Sequence, residues 1–173
     1  MMSNLRNSLK YTVAFLFCVF VRVLPRPPNI EPVMTASMPF AKEFGGYAGL
    51  MFAAFSVVLL DVIVGRVGYW TAYTSLTYGA VGYAAWWWLS NKKEVRGRDY
   101  LTFAFFATIF YDVVTALAFG MQFGQSLEVT LVGQIPFTLY HLLGNLPMAY
   151  FISPLLHKWI VANPKLELEF ALG

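Results

Sequence analysis

Apolar residues fall along this chain in long blocks, separated by short polar or proline-containing breaks. Five blocks predict membrane-spanning helices: residues 9–24, 47–64, 70–89, 100–119 and 139–161. A spanning helix needs about 20 mostly apolar residues, and fewer where flanking side chains snorkel. The first block is short, and Arg22 lies within one turn of its end, in reach of lipid headgroups. Pro25, Pro27 and Pro28 then break the helix. Residues 30–41 are again apolar but contain Glu31, Pro32 and Pro39. They predict either a short, proline-broken sixth crossing or a re-entrant segment, since irregular backbone at membrane depth must be buried in protein or line a cavity. The stretch 120–138 predicts an outside loop: Gln122, Gln125, Glu128 and Gln134 alternate with Phe123, Leu127, Val129 and Leu131, and it is expected to fold back over the bundle as a lid or a short interfacial helix, or to serve only as an interfacial anchor.

Composition strengthens this picture. Of 173 residues, 58% are apolar and only 12% charged, about half the charge of a typical soluble domain. Mean hydropathy is +0.59. The net charge of +3 is too small and too scattered for nucleic-acid binding. A single cysteine, Cys18, excludes an internal disulfide, and two histidines make a structural zinc site improbable. Arg6 and Lys10 before the first apolar run have the look of a signal peptide, but no small-x-small cleavage site follows, so a retained helix is expected.

Charge placement sets the expected topology. Six crossings with a cytoplasmic N-terminus put Arg6, Lys10, Lys42, Lys92, Lys93, Arg96, Arg98, Lys158 and Lys165 inside, and Arg22, Arg26 and Arg66 outside, nine to three. Five crossings with an external N-terminus exchange Arg6 and Lys10 for Arg22 and Arg26, and the ratio stays the same. Either way the 91–98 loop and the C-terminus are expected inside, and the turn at 66–70 outside.

Several residues stand out for chemistry. Gly45, Gly49 and Ala53 recur every fourth position, as do Ala80 and Ala84 with Gly79 and Gly82 beside them. Such faces let helices approach closely, within the chain or against a partner. Ionisable groups inside a membrane are costly. Asp61 has Arg66 nearby for a local pair closing the helix end. Asp112 lies mid-block and needs a donor, a wet cavity or a proton. His141 and Asn145, four apart, share a helix face. Trp86, Trp87 and Trp88 suit one membrane interface. Tyr69, Trp70 and Tyr73 suit the other, or would stack on a flat ligand. No nucleophile-elbow, zinc-protease or phosphate-loop motif is present, so any pumping would draw its energy from a partner. Nor is there a clear two-half repeat with paired broken helices.

The chain resembles the substrate-binding S components of energy-coupling factor (ECF) transporters. The resemblance rests on three stretches. One runs from Gly45-Gly46-Tyr47-Ala48-Gly49 through Asp61-Val62-Ile63-Val64-Gly65-Arg66. Another is His141-Leu142-Leu143-Gly144-Asn145-Leu146-Pro147. The third is the proline-rich 25–32 segment. It implies an all-α integral membrane protein: one six-helix transmembrane domain over 1–173, with short cytoplasmic tails at about 1–8 and 162–173, in the plasma membrane. It also implies no enzymatic activity and no resident cofactor or metal. The implied role is capture of a vitamin-like small molecule near the outer face. Delivery then involves a membrane scaffold subunit and two cytoplasmic ATPases. By position, the ligand would meet Arg26, Asn29, Glu31, Trp70, Tyr73, Gln122, Gln125, His141 and Asn145, and Asp112 joins this set on its own chemistry, as an ionisable group mid-block that could contact a ligand. The scaffold would dock on small residues of the first and third helices, Ala14, Cys18, Gly45, Gly49 and Ala53. The family's Ala-x-x-x-Ala has here only the partial counterpart Ala14-Phe15-Leu16-Phe17-Cys18. A structural or assembly protein acting through helix contacts is the rival reading. A membrane enzyme using Asp112 or His141 as a base is a third.

Overall fold

The computed structural model describes residues 7–25, 30 and 32–168. The expected sites Arg26, Asn29 and Glu31 lie outside the described residues. Within them the chain is all helical, with six helices and no strand. These are α1 (Ser8–Val23), α2 (Pro32–Phe44), α3 (Gly46–Ile63), α4 (Tyr69–Leu89), α5 (Gly97–Gln122) and α6 (Leu127–Pro147). Helical backbone continues past α6 through a π turn at Met148–Ile152, a short α segment at Ser153–Leu156 and a second π turn at His157–Val161. Two helices, α3 and α5, are long and apolar enough to cross a membrane.

Contacts at the two ends of the bundle fix the direction of each helix. At one end Lys10 of α1 pairs with Glu167 at 2.9 Å. The Lys42 ammonium at the end of α2 donates to the carbonyls of Leu89, Ser90 and Lys92 at the end of α4. The Tyr100 hydroxyl at the start of α5 meets His157 Nδ1, and His157 Nε2 meets Glu43. At the other end Arg22 of α1 pairs with Asp61 of α3 at 3.5 Å, and Asp61 accepts from Thr71 of α4 at 2.7 Å. Successive helices therefore run antiparallel, and the start of α1 lies at the same end as Glu167.

From Pro32 to Phe44 the chain is one continuous helix, not a broken segment. α2 is a regular helix despite Pro39, and every residue from Pro32 to Ala41 is buried. It touches all five other helices. At 13 residues it is about 20 Å long, shorter than a bilayer core of about 30 Å. It packs as the central post of the bundle. Its turn into α3 is a single residue, Gly45, at φ +95°, backbone that a side chain would strain.

The expected loop at 120–138 is also corrected. Only residues 123–126 connect α5 to α6. Ser126 caps α6 by accepting from the Val129 amide at 3.3 Å. The polar residues of this stretch do not simply alternate with apolar ones. Thr130, Gln134, Thr138, His141 and Asn145 recur at helical spacing and point inward, while Leu127, Val132, Ile135, Leu139 and Leu143 point outward. α5 has the same inverted pattern: Ala104, Ala107, Thr108, Asp112 and Ala116 are buried, and Phe106, Phe110 and Phe119 are exposed.

The small residues act inside the chain. Ala14, Cys18, Gly49 and Ala53 are buried against neighbouring helices, so they offer no free docking face, and Gly45 serves the turn. A Cβ on Gly49 would lie 2.5 Å from the Gly82 carbonyl oxygen, so α3 and α4 meet backbone to backbone. On α4 it is Gly79 and Gly82 that face inward, while Ala80 and Ala84 are exposed. The Asp61–Arg66 pair is replaced by Asp61–Arg22, which also gives Arg22 a protein partner in place of a lipid phosphate.

Candidate functional site

Three helix ends converge around a cavity of about 480 Å³ at the end of the bundle that holds Asp61 and Ser126. α4 contributes Trp70, Tyr73 and Thr74 from its first turns. α5 contributes Tyr111, Thr115 and Phe119, spaced by four along one face. α6 contributes Val129, Thr130, Gly133, Gln134 and Phe137. Gln125, in the turn before α6, closes one side, and its side-chain oxygen accepts from Thr130 at 3.4 Å. The wall carries five aromatic rings, and its polar atoms are hydroxyls and amides. Its volume lies in the range of pockets for small molecules, about 300–1,000 Å³.

The start of α4 is held by local chemistry. Thr71 Oγ1 accepts from the Gly68 amide at 3.1 Å and donates to Asp61. The Trp70 indole N–H donates to the Arg66 carbonyl at 2.9 Å. These bonds fix the ring edge that faces the cavity. On the opposite wall, a Cβ on Gly120 would collide with Thr130, so α5 and α6 are pressed together just beyond their connecting turn.

Behind this wall lies a dry polar layer. Asp112 Oδ1 and His141 Nδ1 are 2.7 Å apart, and both side chains are closed to solvent. A carboxylate oxygen accepts, so a hydrogen on Nδ1 makes this bond. Neither His141 Nε2 nor Asp112 Oδ2 has a hydrogen-bond partner among the described residues. Tyr111 and Phe137 separate this pair from the cavity: each lines the cavity and packs edge-on to the imidazole at 5.7 Å. One turn along, Asn145 Nδ2 donates to Thr108 Oγ1 at 3.0 Å, and Thr108 reaches Met34 of α2 at 3.8 Å.

Of the residues expected at a site, Trp70, Tyr73 and Gln125 line the cavity. Asp112 and His141 form the layer beneath, and Asn145 sits in the interhelical network beyond it. Gln122 is exposed and does not line the cavity. Sequence reasoning passed over Tyr111, Thr115, Phe119 and Phe137. Their signal was the helical spacing 111–115–119 on α5 and 130–134–137–141 on α6.

A hydrolytic triad needs a hydroxyl or thiol on the free imidazole nitrogen, and among the described residues none bonds to Nε2. No group of three or more metal-ligating side chains occurs among the described residues. No family model matches the chain, and neither curated proteins nor solved structures give a match.

Proposed function

We propose that this chain is a multi-pass membrane receptor for a small molecule, an S-component-like subunit of an ECF-type importer. It captures a vitamin-like micronutrient at the outer face for ATP-driven uptake. The observation that carries this reading is the aromatic cavity of about 480 Å³ at the Asp61 end of the bundle, backed by a buried polar pair.

Membrane residence is supported by the inverted helices. A soluble helix turns its apolar face inward, whereas α5 and α6 turn small and polar residues inward and Phe and Leu outward. An apolar outer surface of this kind suits lipid. Six antiparallel helices with Lys10 and Glu167 at one end agree with a cytoplasmic placement of that end, because it also carries Lys42, Lys92, Lys93, Arg96 and Arg98. The cavity then opens outward. With no nucleotide-binding motif in the chain, a scaffold subunit and two ATPases would supply the energy.

The test is mass spectrometry of small molecules extracted from the protein purified in mild detergent. One compound at near-stoichiometric amount is expected. It should be lost in Gly133→Phe, which fills the cavity from a position where an added Cβ meets nothing within 4 Å. Recovery of lipid alone, even after incubation with a broad micronutrient panel, would refute the reading.

A further inference from the structure

Glycines in this chain are required for different reasons. Gly49, Gly82 and Gly120 lie where a Cβ would collide with a neighbouring helix. Gly45, Gly65 and Gly124 have open space around them but stand in turns at φ of +64° to +95°, backbone that a side chain would strain. Gly133 has neither reason. It sits inside α6 without a positive φ, and no described atom lies within 4 Å of where its Cβ would be. Glycine weakens a helix interior relative to alanine. At Gly133 neither packing nor backbone geometry offsets that loss.

What Gly133 does border is the cavity. Val129, Gly133 and Phe137 follow at intervals of four on α6, share one helix face and all line it. The glycine is a notch in that stripe, between an isopropyl group and a phenyl ring. The same cavity is bordered by Trp70 and Tyr73 of α4 and Tyr111 of α5.

We propose that Gly133 is the specificity-determining residue of this cavity, and that the notch it leaves receives a flat aromatic ring system whose face lies on the bare backbone of α6. The inference rests on the capture reading and names the ligand's class. Its physical basis is thickness. A planar ring reaches van der Waals contact with backbone atoms across its whole face, provided no Cβ holds it away. A puckered ring carries hydrogens above and below its mean plane and seats less closely. The aromatic walls act in the same direction, because Trp, Tyr and Phe gain from offset-stacked or edge-to-face contact with another ring. Every residue in this arrangement already borders the cavity.

The test titrates the purified full-length protein in lipid nanodiscs with 2-naphthol and decahydro-2-naphthol by calorimetry, each corrected for uptake by empty nanodiscs. The probes share a fused two-ring frame and a hydroxyl, but the first is flat and the second puckered. The flat probe is expected to bind at least about tenfold more tightly. Gly133→Ala should weaken 2-naphthol about tenfold through overpacking of the bound ring, with thermal unfolding unchanged or raised. A glycine needed only for structure would lose stability along with binding. Val132→Ala, next in the chain and exposed on the outer face, should leave binding within about twofold. Gly133→Val should abolish binding, and Gly133→Ala alone carries the test if the valine variant does not fold. Equal or tighter binding of the puckered probe overturns the inference. So does 2-naphthol binding that is indifferent to Gly133→Ala or equally weakened by Val132→Ala, or binding of neither probe. The extraction experiment keeps the two claims separate. A co-purified compound without a flat ring system, or one retained in full by Gly133→Ala, refutes this inference and leaves capture standing. Recovery of lipid alone refutes capture itself.

Discussion

Asp112 of α5 and His141 of α6 are joined at 2.7 Å in a layer with no solvent access, and this bond is the main polar tie between the two helices. Removing one partner of a buried hydrogen-bonded pair leaves the other unsatisfied, at a cost of about 1–3 kcal/mol. Asp112→Ala and His141→Ala should therefore each lower stability sharply. The double variant should lose less than the sum of the two, with a coupling of about 1–3 kcal/mol. Unfolding in detergent across the four proteins measures it. Additive losses would mean that the bond carries no specific energy.

The α3–α4 contact makes a second prediction. Gly49 and Gly82 meet so closely that a side chain on either strikes the other's backbone. Gly82→Ala should destabilise by about 1–3 kcal/mol through overpacking. Gly133→Ala has open space around the added carbon and should be neutral, or stabilising by up to about 1 kcal/mol, as alanine usually is over glycine in a helix. Thermal unfolding of the two variants separates a packing glycine from a merely helical one.

Much of this architecture could be read from the chain. The blocks that predicted spans at 47–64, 70–89 and 100–119 correspond to α3, α4 and α5 with ends shifted by a few residues, because each is bounded by glycine or by charge. The misreadings came from prolines and from polar residues. Pro32 and Pro39 suggested irregular backbone, yet Pro32 sits at the first helical position, where its missing N–H costs nothing. Pro39 is held within a helix buried on every side. Gln125, Glu128 and Gln134 suggested a loop because polar residues in a soluble protein face outward, whereas here Thr130 and Gln134 face the interior. The candidate site was half legible for the same reason. Asp112 and His141 stood out as rare ionisable groups, but their pairing across 29 residues of chain has no local signature. Tyr111 and Phe137 looked like any other aromatic residues in an aromatic-rich sequence.

Lys42 makes a third prediction. Its ammonium donates to three carbonyls at the end of α4, at 2.6–3.1 Å. A cation there satisfies acceptors left over by the helix and opposes its negative end. Lys42→Met keeps the stem and removes the charge, so it should cost about 1–3 kcal/mol. It should also raise amide exchange at residues 90–92 selectively, and hydrogen-exchange mass spectrometry reads both. Uniform loosening of the whole bundle would instead indicate that the lysine acts through packing.

The direction of the first helix yields the prediction that decides the topology. Charge counting left five and six crossings equal, because exchanging Arg6 and Lys10 for Arg22 and Arg26 does not alter the ratio. In the bundle the end of α1 meets the end of α3 through Arg22–Asp61, and its start meets Glu167 through Lys10, an arrangement that fits six crossings on the receptor reading proposed above. On the multi-pass reading proposed above, Leu24, Val67 and Phe123, all exposed, belong to one side of the membrane, and Lys93 to the other. Single cysteines at these positions can be placed beside the native Cys18, which is buried and out of reach of a bulky reagent. In intact cells an impermeant maleimide should label Leu24→Cys, Val67→Cys and Phe123→Cys, and should label Lys93→Cys only after lysis. Labelling of Leu24→Cys only after lysis, as for Lys93→Cys, would put the start of the chain outside and leave five crossings. The cavity would keep its outward opening in that case, because α4, α5 and α6 set it, but the scaffold-docking arrangement drawn from the importer reading would have to be abandoned.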